Sequence, residues 1–246
     1  MRYLALATDY DGTIANDGVV DQSTLAALQR LRAGSRRLIL VTGRDLTDLQ
    51  KSMPRLDLFD LVVAENGALR YDPASRECQI LVETPSPDFV ARLRELGVEP
   101  LWMGEVIIAT WGHHTDKVLR AIEDLKLKLQ VISNKTTIMV LPVGVNKASG
   151  LRGALDQLGL SPLDCIGVGD AENDLAFLDV CGLQVAVANA VQSVKERARF
   201  VTAGTRGDGV AELIDRLLAT DFAEFENIDE RTGPFTHAEL EANGPG

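Results

Sequence analysis

The sequence predicts an α/β fold: a parallel sheet with covering helices, into which a small α+β module is inserted. Three observations carry this. Short apolar, β-rich runs alternate with helical patterns at both ends of the chain. Between about residues 82 and 145 the rhythm changes to helix, two strands, helix, two strands. And 246 residues with 46% hydrophobic content suffice for one large or two modest cores.

The elements follow in order. "YLALATD" reads as the first strand. "DQSTLAALQRLRAG" places Leu25, Leu28 and Leu31 at helical spacing, with Ser23 as expected N-cap and Gly34 as the stop. "RRLILVTG" and "LFDLVVAENG" read as the second and third strands. The inserted module opens at "TPSP", continues as a helix through "DFVARLREL", and forms a hairpin around Gly104 in "PLWMGEVIIATW". A helix in "TDKVLRAIEDLKL" and a hairpin turning near Asn134 and Lys135 complete it. Pro85, Pro87, Pro142 and Gly144 mark hinges. "KASGLRGALDQLG" and "NDLAFLDVCG" then read as helices, and "LDCIGVGD", "LQVAVANA" and "RFVTAG" as strands. The expected division is a discontinuous core of residues 1–81 and 146–220, an insert of 82–145, and an acidic segment of 221–246. That last segment reads either as a loose tail or as a linker to a further domain.

Composition narrows the function. A net charge of −11 repels a phosphate backbone, so nucleic acid is not an expected partner. No apolar run approaches the ~20 residues of a membrane span, and the first residues lack the pattern of a signal peptide. The expectation is therefore a cytoplasmic protein without membrane partners; its expected state is monomer or homodimer. Cys78, Cys165 and Cys181 form no CxxC pair, and the His and Cys spacings fit no zinc site.

In parallel sheets, ligands bind beyond the carboxyl ends of the strands. Four patches fall at such ends: Asp9, Asp11, Gly12 and Thr13; Thr42, Gly43 and Arg44; Lys147; and Asp170, Glu172, Asn173 and Asp174. Each alone has a structural explanation as a cap, a turn or a solvated lysine. A calcium loop starting at Asp9 fails, because Ile14 and Val20 stand where Gly and a bidentate Glu are required. Taken together, Asp9, Asp11 and Asp170 converge at one rim. Like charges that close need compensation, and oxygen-only ligands suit Mg²⁺. Thr42 offers a donor at a helix start and Lys147 a fixed positive charge, which together describe a phosphoryl pocket.

"DYDGT", "VTGR", the lysine and "GDAEND", in that order, resemble the four motifs of the haloacid dehalogenase (HAD) superfamily of phosphohydrolases. "AENGA" and the position of the insert resemble its Cof-type branch, which includes sugar-phosphate, sucrose-phosphate and phosphoglycolate phosphatases. The resemblance covers residues 1 to about 218. It implies a Rossmann-like core with a cap domain and a Mg²⁺-dependent phosphatase acting on a small phosphorylated metabolite through an aspartyl-phosphate. By the same resemblance, Asp9 is the nucleophile and Asp11 the acid and base. Thr42, Gly43, Lys147, Asn173 and Asn66 meet the phosphate or substrate. Asp9, the Asp11 carbonyl and Asp170 hold the metal, with Asp174 orienting them, and Arg44 and Glu65 give support.

Trp102, Trp111, His113, His114, Asn134 and Lys135 are the cap residues considered for selectivity; for the tryptophans, plain hairpin packing is the competing explanation. A phosphomutase of the same fold, or a regulatory domain of a longer protein, are the alternative functions.

Overall fold

The computed structural model describes residues 1–134, 136–223 and 235–236. Its elements in chain order are β1 (Ala5–Thr8), α1 (Gln22–Ala33), β2 (Arg37–Val41), α2 (Leu46–Ser52), β3 (Leu61–Ala64), β4 (Leu69–Asp72) and β5 (Glu77–Ile80). The inserted segment holds α3 (Pro87–Glu95), β6 (Trp102–Met103), β7 (Ile108–Trp111), α4 (Thr115–Asp124), β8 (Leu129–Asn134) and β9 (Thr137–Pro142). The chain then returns through α5 (Lys147–Leu158), β10 (Cys165–Gly169), α6 (Leu175–Leu178), β11 (Leu183–Ala186), α7 (Gln192–Arg197), β12 (Phe200–Val201) and α8 (Arg206–Thr220), with β13 at Phe235–Thr236. Among the described residues, no helix is long and apolar enough to cross a membrane.

The main sheet has the order β13-β12-β11-β10-β1-β2-β3-β4-β5. It is parallel from β13 to β3, and β4 and β5 add an antiparallel hairpin at the edge. β1 lies at the centre, buried along its whole length, which explains why its run is apolar on both faces. Chain order reverses between β1 and β10, and this is where open α/β sheets place their ligands. Register brings the strand ends level: Thr8 pairs with Val168 on one side and Leu40 on the other. Asp9, Thr42 and Asp170 therefore emerge at one rim.

The inserted segment builds its own four-stranded antiparallel sheet, ordered β6-β7-β9-β8. Its outer face packs on α3 and α4 through Phe89, Leu93, Val118, Ile108, Ile138 and Val140. The other face meets the main domain through Met139, Leu141, Val145 and Ala68.

Several local expectations change. Asp21, not Ser23, caps α1, because Asp21 accepts the Thr24 N–H at 2.7 Å and also the Ser23 hydroxyl. "NDLAFLDVCG" forms only a 3₁₀ turn and the four residues of α6. Asp221 and Phe222, placed in the tail by sequence, belong to the core. Asp221 pairs with Arg36 at 2.9 Å, and Phe222 is fully buried beside Tyr3 and Phe200. Most of the remaining acidic segment lies outside the described residues.

α5 approaches the sheet unusually closely. At Gly150 an added Cβ would stand 2.4 Å from Val63 Cγ1 and 2.6 Å from Gly67 Cα. Gly67 faces it with φ +101°. Alanine normally stabilises a helix interior over glycine by ~1 kcal/mol. Gly150→Ala is expected instead to cost ~1–3 kcal/mol through overpacking, while Gly153→Ala, which meets only a flexible arginine tip at 3.2 Å, costs less or stabilises. Urea denaturation of the two variants checks this, and equal stabilisation by both would refute the close approach.

Candidate active site

The site is assembled at the ends of β1, β2 and β10 and, in place of the fourth strand end expected from sequence, at the start of α5. Lys147 is the first residue of α5, fixed there by a capping box in which Asn146 Oδ1 accepts the Ser149 N–H at 3.0 Å. From that position its buried ammonium donates to Asp9 Oδ1 at 2.6 Å and to Asp174 Oδ1 at 2.6 Å. The second oxygen of Asp174 accepts the backbone N–H groups of Asp170 (2.9 Å) and Ala171 (3.0 Å). The Thr13 hydroxyl donates to Asp170 Oδ1 at 3.1 Å. Gly12 turns over this carboxylate with φ +84°, and a Cβ there would lie 2.4 Å from Asp170 Oδ2. Asn189, unnoticed in the sequence, holds the turn by donating from Nδ2 to the Gly12 carbonyl at 2.8 Å.

The electrostatics are unbalanced. Asp9, Asp170 and Asp174 are all buried and offer oxygens within 4.8 Å of one another, against the single ammonium of Lys147. Burial is the main force raising Asp9, to about 8; Asp174 and Asp170 add to the rise and Lys147 opposes it. For Lys147, burial favours the neutral amine, but Asp174 and Asp9 outweigh it and hold the ammonium above its ordinary range. A set of hard oxygen donors with excess negative charge fits a divalent cation. Asp9 and Asp170 could hold such an ion. Both oxygens of Asp174 already have partners, which suits it to orienting the set rather than supplying a ligand.

A cavity of about 420 Å³ opens over this cluster. Asp9, Asp11, Thr42, Gly43, Lys147 and Asn173 all line it. Thr42 is buried, and its Oγ1 accepts the Arg44 N–H at 3.1 Å. Asp11 stands apart from the buried trio. Arg44 Nε and Nη2 each donate to it at 2.7 Å, a bidentate pair beside the cavity. Arg44 also reaches Asp48 at 2.7 Å and lies over the Tyr10 ring, 5.0 Å from its centroid.

Glu65 and Asn66 follow β3, both with left-handed backbone, at φ +51° and +53°. Glu65 is fully buried, and its carboxylate accepts three backbone N–H groups from the β6–β7 turn: Glu105 at 2.9 Å, Val106 at 2.8 Å and Ile107 at 2.8 Å. Its own N–H donates to the Arg44 carbonyl, and that of Asn66 to the Thr42 carbonyl. One loop therefore ties the Thr42–Arg44 segment to the cap. Asn66 is buried and donates from Nδ2 to Met139 Sδ at 2.8 Å, behind the cavity wall rather than in it.

From the cap, the cavity is lined by Thr136, Thr137 and Met139, which sequence reading passed over. The alternation of β9, with Ile138 and Val140 in the cap core, was the signal that could have found Thr137 and Met139. His113 and His114 do not line the cavity; His114 Nε2 lies 3.1 Å from the Glu99 carbonyl. The side chain of Asn134 and all of Lys135 lie outside the described residues.

A family model described as haloacid dehalogenase-like hydrolase matches residues 6–96 and 103–214. A phosphoglycolate phosphatase from Methanothermobacter thermautotrophicus is 30% identical, over 87% of this chain and 98% of its own. A 5-amino-6-(5-phospho-D-ribitylamino)uracil phosphatase from Bacillus subtilis is 27% identical, over 85% of this chain and 93% of its own. A solved haloacid dehalogenase-like hydrolase from Bacteroides thetaiotaomicron shares the fold, with a TM-score of 0.73 at 22% identity, covering 87% of this chain and 99% of that one.

Removing the Glu65 carboxylate strands three amide donors. Glu65→Ala is expected to cost ~2 kcal/mol or more in stability and to raise KM, because the cap loses its fixed pose. Denaturation and steady-state kinetics check this; unchanged values for both would show that the clasp is dispensable.

Proposed function

The chain belongs to the haloacid dehalogenase-like hydrolase family, and as a phosphatase of that family we propose that it hydrolyses a small phosphorylated metabolite, of the sugar-phosphate or phosphoglycolate class, with Mg²⁺ and through an aspartyl-phosphate. The observation that carries this is the buried Lys147 ammonium bridging Asp9 and Asp174 at the end of the central strand. It holds one carboxylate rigid at the mouth of a cavity and works against the burial that disfavours its charge.

In this reading Asp9 attacks phosphorus in line with the ester oxygen, which leaves as the bond to phosphorus breaks. Asp11 gives its proton to that oxygen and later takes one from the water that attacks the acyl phosphate. To do so it exchanges its Arg44 partner for the substrate, and its position on the cavity wall permits the exchange. Thr42, with the N–H groups around Gly43, receives phosphoryl oxygens, and Asn173, which lines the same cavity, reaches them as well. Lys147 keeps Asp9 oriented and offsets the charge that builds on the phosphoryl group. Asp9, the backbone carbonyl of Asp11 and Asp170 would hold Mg²⁺, with Asp174 fixing their arrangement. When bound, the ion supplies charge neutralisation for the nucleophile and phosphoryl oxygens. Asn66, through Met139, supports the wall against which the rest of the substrate lies.

Asp9→Asn is expected to lower phosphate release from p-nitrophenyl phosphate with Mg²⁺ by at least ~1,000-fold, the scale of losing a nucleophile, with an unchanged circular dichroism spectrum. Undiminished turnover would remove Asp9 from that role.

A further inference from the structure

Direct cross-strand partners share one face of a sheet. In the cap, Trp111 pairs with Thr137, Ala109 with Met139, and Trp102 with Ala109. Thr137 and Met139 line the cavity, while the alternate residues Ile108, Ile138 and Val140 are packed under α3 and α4. Both tryptophans therefore stand on the face directed at the candidate site. Trp111 is one strand from the cavity wall at Thr137, and Trp102 two strands from Met139, with neighbouring strands ~4.8 Å apart.

Hairpin packing does not account for them. Trp102 is 43% exposed and Trp111 39% exposed. They meet each other edge to face, with centroids 5.1 Å apart at 83°, and leave ring surface open on the sheet face that carries Thr137 and Met139. The strands that carry them are fastened to the main domain by the Glu65 clasp on the intervening turn, so the aromatic pair is held in register with the phosphate loop. At about 420 Å³ the cavity has room for a ligand larger than a bare two-carbon acid. Of its two described cations, Lys147 is held by Asp9 and Asp174, and Arg44 keeps Asp48 as a partner when Asp11 turns to the substrate. The cap side contributes Thr136, Thr137 and Met139, which suit an uncharged leaving group.

We propose that Trp102 and Trp111 form a stacking subsite for the alcohol part of the substrate, which bears a ring with an exposed face: a cyclic sugar or a heterocycle, rather than a short acyclic acid. This rests on the phosphatase reading and narrows its substrate class.

Trp102 and Trp111 are the chain's two tryptophans, so tryptophan emission, excited at the red edge where the three tyrosines do not absorb, reports this subsite alone. The full chain carrying Asp9→Asn is titrated with glucose 6-phosphate, uridine 5′-monophosphate, phosphoglycolate and inorganic phosphate. A saturable emission change with either ring-bearing ester, and little with the other two, is expected. The first two probes separate a sugar from a base. An equal response to all four, or none, overturns the subsite. In parallel, kcat/KM for the better ring-bearing ester relative to phosphoglycolate is measured in wild type, Trp111→Ala and Trp111→Phe. The ratio is expected to fall at least tenfold in the alanine variant and to recover partly with phenylalanine. An unchanged ratio, as from equal losses on both substrates, marks a structural role and overturns the proposal. If wild type releases no phosphate from any ester, the phosphatase reading fails, while the emission titration still decides the subsite.

Discussion

One lysine sets the terms for the rest of the molecule. Lys147 brings a cation into a buried space containing three carboxylates and bonds two of them at 2.6 Å. Such an arrangement is costly unless every charge is held in place, and removing one partner of a buried pair typically costs ~3–5 kcal/mol. The surrounding fold supplies the hold. α5 lies close enough to the β3 end that glycines are needed on both sides of the contact. Its capping box fixes the first turn that carries Lys147. The level ends of β1 and β10 bring Asp9 and Asp170 alongside one another.

The cap is attached by a related device. Glu65 ends the third strand, and its carboxylate is satisfied by amides of the inserted sheet. The loop that carries Glu65 also takes hydrogen bonds back to the carbonyls of Thr42 and Arg44. The Thr42–Arg44 segment and the cap turn thus share one buried anchor, so the side of the site that we assign to phosphate chemistry and the side we assign to the leaving group are positioned by the same residue. The exposed acid, Asp11, is the one site carboxylate held by a partly exposed partner, Arg44. That suits a group whose proposed task needs it to change partners.

Much of this was legible in the chain because it is local. Apolar runs ending in Asp9, Thr42 and Asp170 mark strand ends, and the helix–hairpin rhythm marks the cap. What escaped was either polar or long-range. The β4–β5 hairpin has no counterpart among the strands expected from sequence, because Glu77 and Gln79 sit exposed on an edge strand with little apolar alternation. Ser23 resembles a cap, yet its hydroxyl is bonded to the Asp21 side chain that does the capping. The Arg44–Asp11 pair and the three amides on Glu65 join residues 33 and about 40 positions apart, and no spacing rule exposes them. The direction of the tryptophans depends on register across three strands, which only the folded sheet defines.

The central claim is that the buried carboxylates carry an unmet negative charge that a divalent cation meets at Asp9 and Asp170. Asp9, with its pKa raised to about 8, must lose its proton when the ion binds. Calorimetric titration of Mg²⁺ into the full chain between pH 6 and 9 tests this most directly. One ion should bind with release of a proton, its affinity rising by up to about tenfold per pH unit until about pH 8 and then levelling, and Asp170→Asn should weaken it strongly. Affinity independent of pH across that range, or indifferent to Asp170, would contradict the account.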